Sequence, residues 1–470
     1  RDYYEVLGVD RNADDAAFGD PKNQISIDFF DDYMVFAHNG EEFSQRDIEG
    51  LCAVSHGTKK NDKTKTGYKG IGFKSVFGQS NQVIIYTAGE YFRFDKSFDF
   101  QWNNNWSSTQ KEWERNNDRE FIWPWQIIPI YCNKDFIPKK INEYLQKHSF
   151  KVATILKLDY IDNIKFELQE LFKNLNMFIF LRNIDTLTIS LDKKILIEIE
   201  HISENEINLK KDQYIISNWL LKKIDLSLDE TIKTKIKNDQ NIPKKLKESN
   251  SVELTLGIKK TKTGIQRINE EDNLLFSYLP TSVKSNIPVL VNSSFIMGAN
   301  RQELHVDSPL NQWLFYNISY ELIRWIGDLV VDEYGFQAYR LLPNKLHLAN
   351  ELNCEYERGK LEAINQIPIL VSESDELLRI KDAIFDEVGL SKEAFIDRQI
   401  IKDFVLKRNS INITNDYNPF IKKTEFENIF LELGLIKLSW EDLSLFFSYE
   451  DFVETHTIED NIKLIKFLKD

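Results

Sequence analysis

An α/β (α+β) architecture spread over two or three domains follows from three observations. The chain has 470 residues, too many for one ordinary core when a domain takes about 150. Short strand-like runs joined by tight turns are interspersed with helical stretches, and the pattern changes near residues 160 and 332. Hydrophobic residues make up 42% of the sequence, with 32 Phe, 18 Tyr and 9 Trp, so a largely disordered chain is excluded.

The first block, 1–159, opens with a short helical segment. ISIDFF (25–30) and YMVFAH (33–38) read as strands around the Asp31-Asp32 turn. Ser44 with Asp47 three positions on is a helix-start signature, because each can satisfy an orphan amide, and the helix is expected to run to about Val54. A lysine-rich, glycine-containing stretch (55–70) and a short helix (72–77) follow, then strands VIIYT (83–87) and YFRFD (91–95). Residues 96–125 read as an irregular Asn/Trp-rich insertion whose aromatics, in 101–125, form a partner surface or, the preferred reading, pack on one another. A helix at 140–145 leads to the strand KVATILKLD (151–159).

In the second block, 160–331, FELQELFKNL is helical and LTISLD with ILIEIE forms a hairpin. A lysine-rich polar tract (233–251) precedes the strand runs SVELTLGI, LLFSYL and IPVLVN, and an amphipathic helix (311–331) follows Pro309. The third block, 332–470, reads as mainly helical, with IPILVS (367–372) as an isolated strand. No internal repeat is evident.

Sixty Lys and Arg against 74 Asp and Glu leave a net charge of −14, which repels nucleic acid and anionic membrane. Any phosphate-binding surface must then be a local basic patch. The three cysteines, Cys52, Cys132 and Cys354, are too scattered for a disulfide framework or a zinc cluster, which fits a reducing cytoplasm. No run approaches the ~20 apolar residues of a membrane helix, and no signal peptide opens the chain. The start at Arg1, without Met, points to a fragment or an edited chain.

GYKGIGFKS (67–75) carries the clearest chemistry. Gly67, Gly70 and Gly72 allow backbone N–H groups to approach an anion, and a following helix would aim its N-terminus at it. The spacing is neither a Walker A loop, since Phe73 stands where the Lys belongs, nor a Rossmann fingerprint. Lys59, Lys60, Lys63, Lys65, Lys69 and Lys74, opposed only by Asp62, suggest a lid over phosphates. In NADDA (12–16), Asn12 can offer its carbonyl oxygen to Mg²⁺. In HNG (38–40), Asn39 can donate to and accept from adenine at once, and Thr154 can reach the base through a water.

The order NADDA, strand pair, HNG, helix, SHGTK, glycine turn, strands and ATILKL resembles the GHKL ATPase superfamily (gyrase B, the ninety-kilodalton heat-shock chaperone, histidine kinases, MutL), whose nucleotide site is the Bergerat fold. HNGEEFS, SHGTKK, TGYKGIGFKSVF and YFRFD look most like the sacsin-type branch, and the likeness continues through FIFLRNIDTLTI and IPILVSESDELLRIKDAIF over most of the chain. GYKGIGFKSVF is the most specific of these. The resemblance implies a Bergerat two-layer sandwich of a mixed sheet and helices at 1–159, a transducer-like α+β domain at 160–331 and the helical region at 332–470. It implies Mg²⁺ on Asn12, with Asp15 supporting that helix. His38 or Asn39 would take the place of the adenine-reading Asp, and Gly40 would admit the base. Ser55 and Lys59 would contact phosphate from the lid. Gly67, Gly70 and Gly72, with Phe73 and Lys74 after them, would cradle the phosphates, while Thr154 completes the adenine pocket. Arg301, in GANRQELH, would reach the γ-phosphate.

One position departs from that pattern. The superfamily usually carries a Glu one helical turn before the magnesium Asn, to activate water, and Gly8 stands there. Glu5 shares the helix face, but at about 1.5 Å rise per residue it lies ~10 Å from Asn12, beyond the reach of a general base. The opening RDYYEVLGVDRNADDA also resembles the start of a J-domain, although no His-Pro-Asp loop follows. The leading expectation is a Mg-ATP-binding module that couples binding and slow hydrolysis to conformational change. It would be chaperone-like or part of an antiviral defence assembly, with ATP-gated closure of a homodimer. The alternatives are a nucleotide-gated scaffold without catalysis and a DNA-acting clamp of gyrase B or MutL type. The negative charge opposes the clamp, although residues 233–247 offer a local basic contact.

Overall fold

The computed structural model describes residues 23–52, 73–181, 183–298, 303–343, 346–410 and 418–469. The class is mixed α+β, as the sequence predicts. Two compact units are interleaved along the chain. The first gathers Arg1–Gly257, Leu274–Val283 and Asn292–Glu303, and the second Ile258–Asn273, Lys284–Val291 and Leu304–Asp470.

In the first unit, β1 (Gln24–Phe30) and β2 (Tyr33–His38) pair antiparallel across the two-aspartate turn. Asp31 takes φ 51°, a left-handed conformation that Asp tolerates through local hydrogen bonding. A second hairpin joins β3 (Gln82–Thr87) to β4 (Glu90–Asp95), turning through Ala88 and Gly89, both at positive φ as a twist-matched two-residue turn demands. With β5 (Ile130–Cys132) and β6 (Val152–Lys157) the order is β1-β2-β6-β3-β4-β5, antiparallel throughout. On its other edge β1 pairs in parallel with β7 (Thr186–Ser190), which makes the sheet mixed. Antiparallel strands β8 (Lys194–Ser203), β9 (Glu206–Lys211) and β10 (Tyr214–Ser227) follow. The last two are strands that the sequence reading did not contain.

Helices α1 (Gln45–Cys52), α2 (Gln110–Asn117), α3 (Lys139–Lys147) and α4 (Ile161–Leu171) belong to this unit. Helix α3 buries Ile141 and Leu145 against Val35, Ala37, Ile84, Ala153 and Ile155, one face of the sheet. Helix α2 corrects the expectation of an irregular insertion. The Thr109 hydroxyl caps it by accepting from the Glu112 amide at 3.2 Å, and Asp118 ends it in a left-handed conformation. Around it the rings pack as expected: Phe100 stacks on Trp123 at 4.8 Å, and Phe121 meets Trp102 at 5.1 Å and Trp113 at 5.2 Å. The lysine-rich tract is likewise more ordered than predicted, since α5 (Glu230–Asn238) buries Ile232 and Ile236 and α6 (Lys244–Lys247) buries Leu246.

In the second unit, the end of β11 (Ser251–Thr261) folds back on β12 (Gly264–Gln266). Helix α7 (Pro309–Val331) begins with Pro at a position whose N–H has no helical acceptor anyway. It keeps the polar stripe of an amphipathic helix, with Arg324 and Asp328 exposed, and buries most of the rest of its circumference, Leu310, Leu314, Ile318, Leu322 and Ile326 together with Ser319, Glu321, Ile323 and Leu329. Helix α8 (Asn350–Gln366) crosses it closely, with the Ser319 hydroxyl donating to the Tyr356 carbonyl at 2.6 Å. The IPILVS segment is not isolated either, since Leu370–Val371 pairs with Leu377–Leu378. The remaining chain is mainly helical and closes on Ile401, Phe404, Leu438, Phe446 and Phe452. The three cysteines form no disulfide. Among the described residues, no helix is long and apolar enough to cross a membrane.

Candidate functional site

Successive side chains of a strand point to opposite faces, so the register decides which residues share a surface. One rung of the first unit's sheet aligns Ile25, His38, Val152 and Thr87, and the next aligns Ile27, Phe36, Thr154 and Ile85. Both rungs lie opposite the face covered by α3. His38 and Thr154, two of the residues singled out in the sequence, are therefore diagonal neighbours, at a typical separation of about 7 Å. Both are buried, on a surface otherwise built from Ile25, Ile27, Phe36, Val152 and Ile85. The 3₁₀ turn Phe73–Gly78 follows the three glycines and is anchored on this same face. Phe77 meets Phe94 edge-on at 5.4 Å and Trp125 at 5.1 Å, and Phe94 pairs with Val83 of β3, on the His38 side.

The chain leaves β2 at His38 and is held at once. The His38 carbonyl accepts from the Lys151 amide at 3.0 Å. The Asn39 side-chain oxygen accepts from the Gln24 amide at 2.7 Å, and its own amide donates to the Gln24 carbonyl at 3.3 Å. Buried Thr87, at the end of β3, accepts from the Phe43 amide at 2.8 Å, so the segment after Gly40 is tied across the strand ends. Ser44 and Asp47 then start α1 reciprocally: the Ser44 amide donates to Asp47 Oδ2 at 3.0 Å and the Asp47 amide to Ser44 Oγ at 3.3 Å.

The sheet's other face carries a polar lock that the sequence reading passed over. Asp28, buried on β1, accepts from Ser26 Oγ at 2.5 Å and from Ser190 Oγ of β7 at 2.6 Å. The Tyr144 hydroxyl of α3 reaches the same carboxylate and lies 2.8 Å from Ser26 Oγ. Burial pushes the Tyr144 phenol well up, and the hydrogen bond to Asp28 adds to the effect. This group joins two strands and a helix on the side away from His38.

Of the other residues singled out, Glu5, Asn12, Asp15, Ser55, Lys59, Gly67, Gly70, Gly72 and Arg301 lie outside the described residues. Phe73 and Lys74 open the 3₁₀ turn, described there by backbone alone. The signal for Thr87 was present, a hydroxyl ending an apolar strand, but only the register places it on the same rung as His38, across Val152. Among the described residues, no group of three or more His, Cys, Asp and Glu is placed to hold a metal ion.

No protein-family model matches the chain. The chain is similar to Protein NO VEIN of Arabidopsis thaliana, with 22% identity over 325 residues. That match takes in 67% of this chain and 11% of the plant protein, so the chain spans about a tenth of its relative's length.

Proposed function

We propose that the first unit is a GHKL-type, sacsin-like module of Bergerat fold that binds Mg-ATP and couples binding and slow hydrolysis to conformational change. One observation carries the reading: His38 and Thr154 occupy adjacent rungs of one buried sheet face, and the turn that follows the glycine motif is anchored on that face. A flat base needs apolar walls with a few convergent polar groups, and this surface fits that need. A neutral imidazole offers one donor and one acceptor, which matches an adenine edge. Asn39 already spends its side-chain oxygen on Gln24, so His38 is the better reader of the base. Asn12 would hold Mg²⁺, and the 67–72 glycines with Lys59 and Lys74 would take the phosphates. When bound, the metal neutralises phosphate charge. The chain's own residues position the nucleotide and exclude water.

Calorimetric titration with Mg-ATP tests this. Asn12→Ala is expected to abolish binding and His38→Ala to weaken it at least tenfold. Affinities equal to the parent's in both would discard the site. Amide exchange over residues 55–70 is expected to slow on addition of Mg-ATP, as a lid requires. The proposed setting is cytoplasmic, in a chaperone-like or antiviral defence role, with ATP-gated pairing of two copies.

A second reading rests on Gly8, which stands where a carboxylate would activate water. In that reading the module is a nucleotide-gated scaffold that binds without turnover. Phosphate release by the parent above an Asn12→Ala control favours the ATPase, and release equal to the control favours the scaffold.

A further inference from the structure

The second unit contains a cavity of about 990 Å³, at the upper end of the range typical of small-molecule sites. Its lining includes the apolar and aromatic residues Tyr339, Phe426, Ile429 and Leu433. It also includes Arg267, Arg340 and Lys360, with Glu432 as the carboxylate among the lining residues. Two of these cations are already matched: Lys360 pairs with Glu357 at 2.5 Å and Arg340 with Glu425 at 3.5 Å.

Arg267 is different. Its Nη1 donates to the backbone carbonyls of Arg340 at 3.1 Å and Leu342 at 3.2 Å, which are neutral acceptors. Among the described residues no carboxylate pairs with it, Glu432 included. Burial makes its charged form harder to hold. Arg267 is only partly buried, so a guanidinium without a carboxylate partner among the described residues stands on the cavity wall where an anion can reach it.

We propose that this cavity binds a small aromatic anion, its acidic head gripped by Arg267 and its ring laid against Phe426 and Leu433. A guanidinium fork suits a carboxylate or a phosphate monoester equally, because both present two oxygens in its plane. The site is separate from the nucleotide site proposed above and does not depend on it.

Calorimetry on the full chain with 2-naphthyl phosphate and 2-naphthoate, with naphthalene-2-methanol as an uncharged control, tests the proposal. The expected result is binding of at least one anion, and which one is tighter identifies the head. The alcohol should bind at least tenfold more weakly. Arg267→Gln should weaken the anion at least tenfold. Arg267→Lys keeps a cation at the wall but not the planar fork, should weaken the anion severalfold, and decides the matter should Arg267→Gln fail to fold. Three results would overturn the proposal: no binding of either anion, equal binding of the alcohol, or parental affinity in the folded variants. Asn12→Ala should bind these probes like the parent, so the fate of the ATP reading is read separately.

Discussion

Gly359 of α8 lies so close to Tyr316 of α7 that a Cβ there would stand 2.1 Å from the Tyr316 carbonyl oxygen. The obstacle is backbone, not the end of a flexible side chain, so a methyl group must push the helices apart. The contact also sets the Ser319–Tyr356 hydrogen bond one turn away.

Gly359→Ala is therefore expected to destabilise the second unit by about 1–3 kcal/mol or more, through overpacking. Equilibrium urea unfolding compares it with the parent. A midpoint unchanged within error would show that the helices can separate freely.

The Asp28 lock predicts a stability effect without a ligand effect. Tyr144→Phe removes one hydroxyl from the carboxylate and should reduce stability by roughly 1–3 kcal/mol, as the loss of a hydrogen bond to a charged group does. Because the lock faces away from His38, Mg-ATP affinity should stay at the parental value when both are measured on the same preparation.

Asp95 predicts a dependence on pH. Burial alone would raise its carboxyl, but hydrogen bonds from Ser97, Gln82 and Arg93 outweigh that and hold it below the ordinary carboxylate range. A depressed folded pKa means the ionised group contributes stability that is fully present above its unfolded value, near ~3.9, and is lost as pH falls through the folded value. Asp95→Asn should thus be less stable than the parent at pH 7 by roughly 1–3 kcal/mol. The difference should shrink in acid. A gap that stays constant from pH 7 down to pH 3 would contradict the ionised-acceptor role.

Thr87→Val tests the strap over the strand ends. It keeps the shape and removes the acceptor of the Phe43 amide, a loss of about 1 kcal/mol. Faster amide exchange at Phe43 is expected, together with weaker Mg-ATP binding. Unaltered exchange would mean that the segment after Gly40 is held by other contacts.

Much of the first unit's sheet was legible because ISIDFF alternates with a period of two, while YMVFAH and VIIYT are short apolar runs bounded by turn residues. Strand β10 escaped because polar Ser217 occupies a buried position beside Trp219, whose indole donates to it at 2.9 Å, and a bulge interrupts the register after Ile215. A dipole satisfied by its neighbour hides as a surface residue in a hydropathy pattern. Helix α2 escaped although its start, Thr109 with Glu112 three residues on, carries the same signature that revealed α1. Helix α7 was found, but the breadth of its buried face was not, because Ser319 and Glu321 are polar residues that are buried and satisfied, one by a carbonyl and the other by exposed Arg324. In the candidate site, His38 and Thr154 stood out as polar residues in apolar strands. Asp28 and Thr87 had the same appearance, and only pairing register separates the ligand-facing side from the helix-covered one.

The alternation of the two units along the chain has a practical outcome for anyone dissecting the protein with scissors. Cutting before Leu304 does not liberate the second unit, since the excised piece forfeits 258–273 and with it Ile265, Arg267 and the β11–β12 hairpin. Deletion mapping would report a lost activity wherever the blade fell, and point substitutions are the instrument that can tell the units apart.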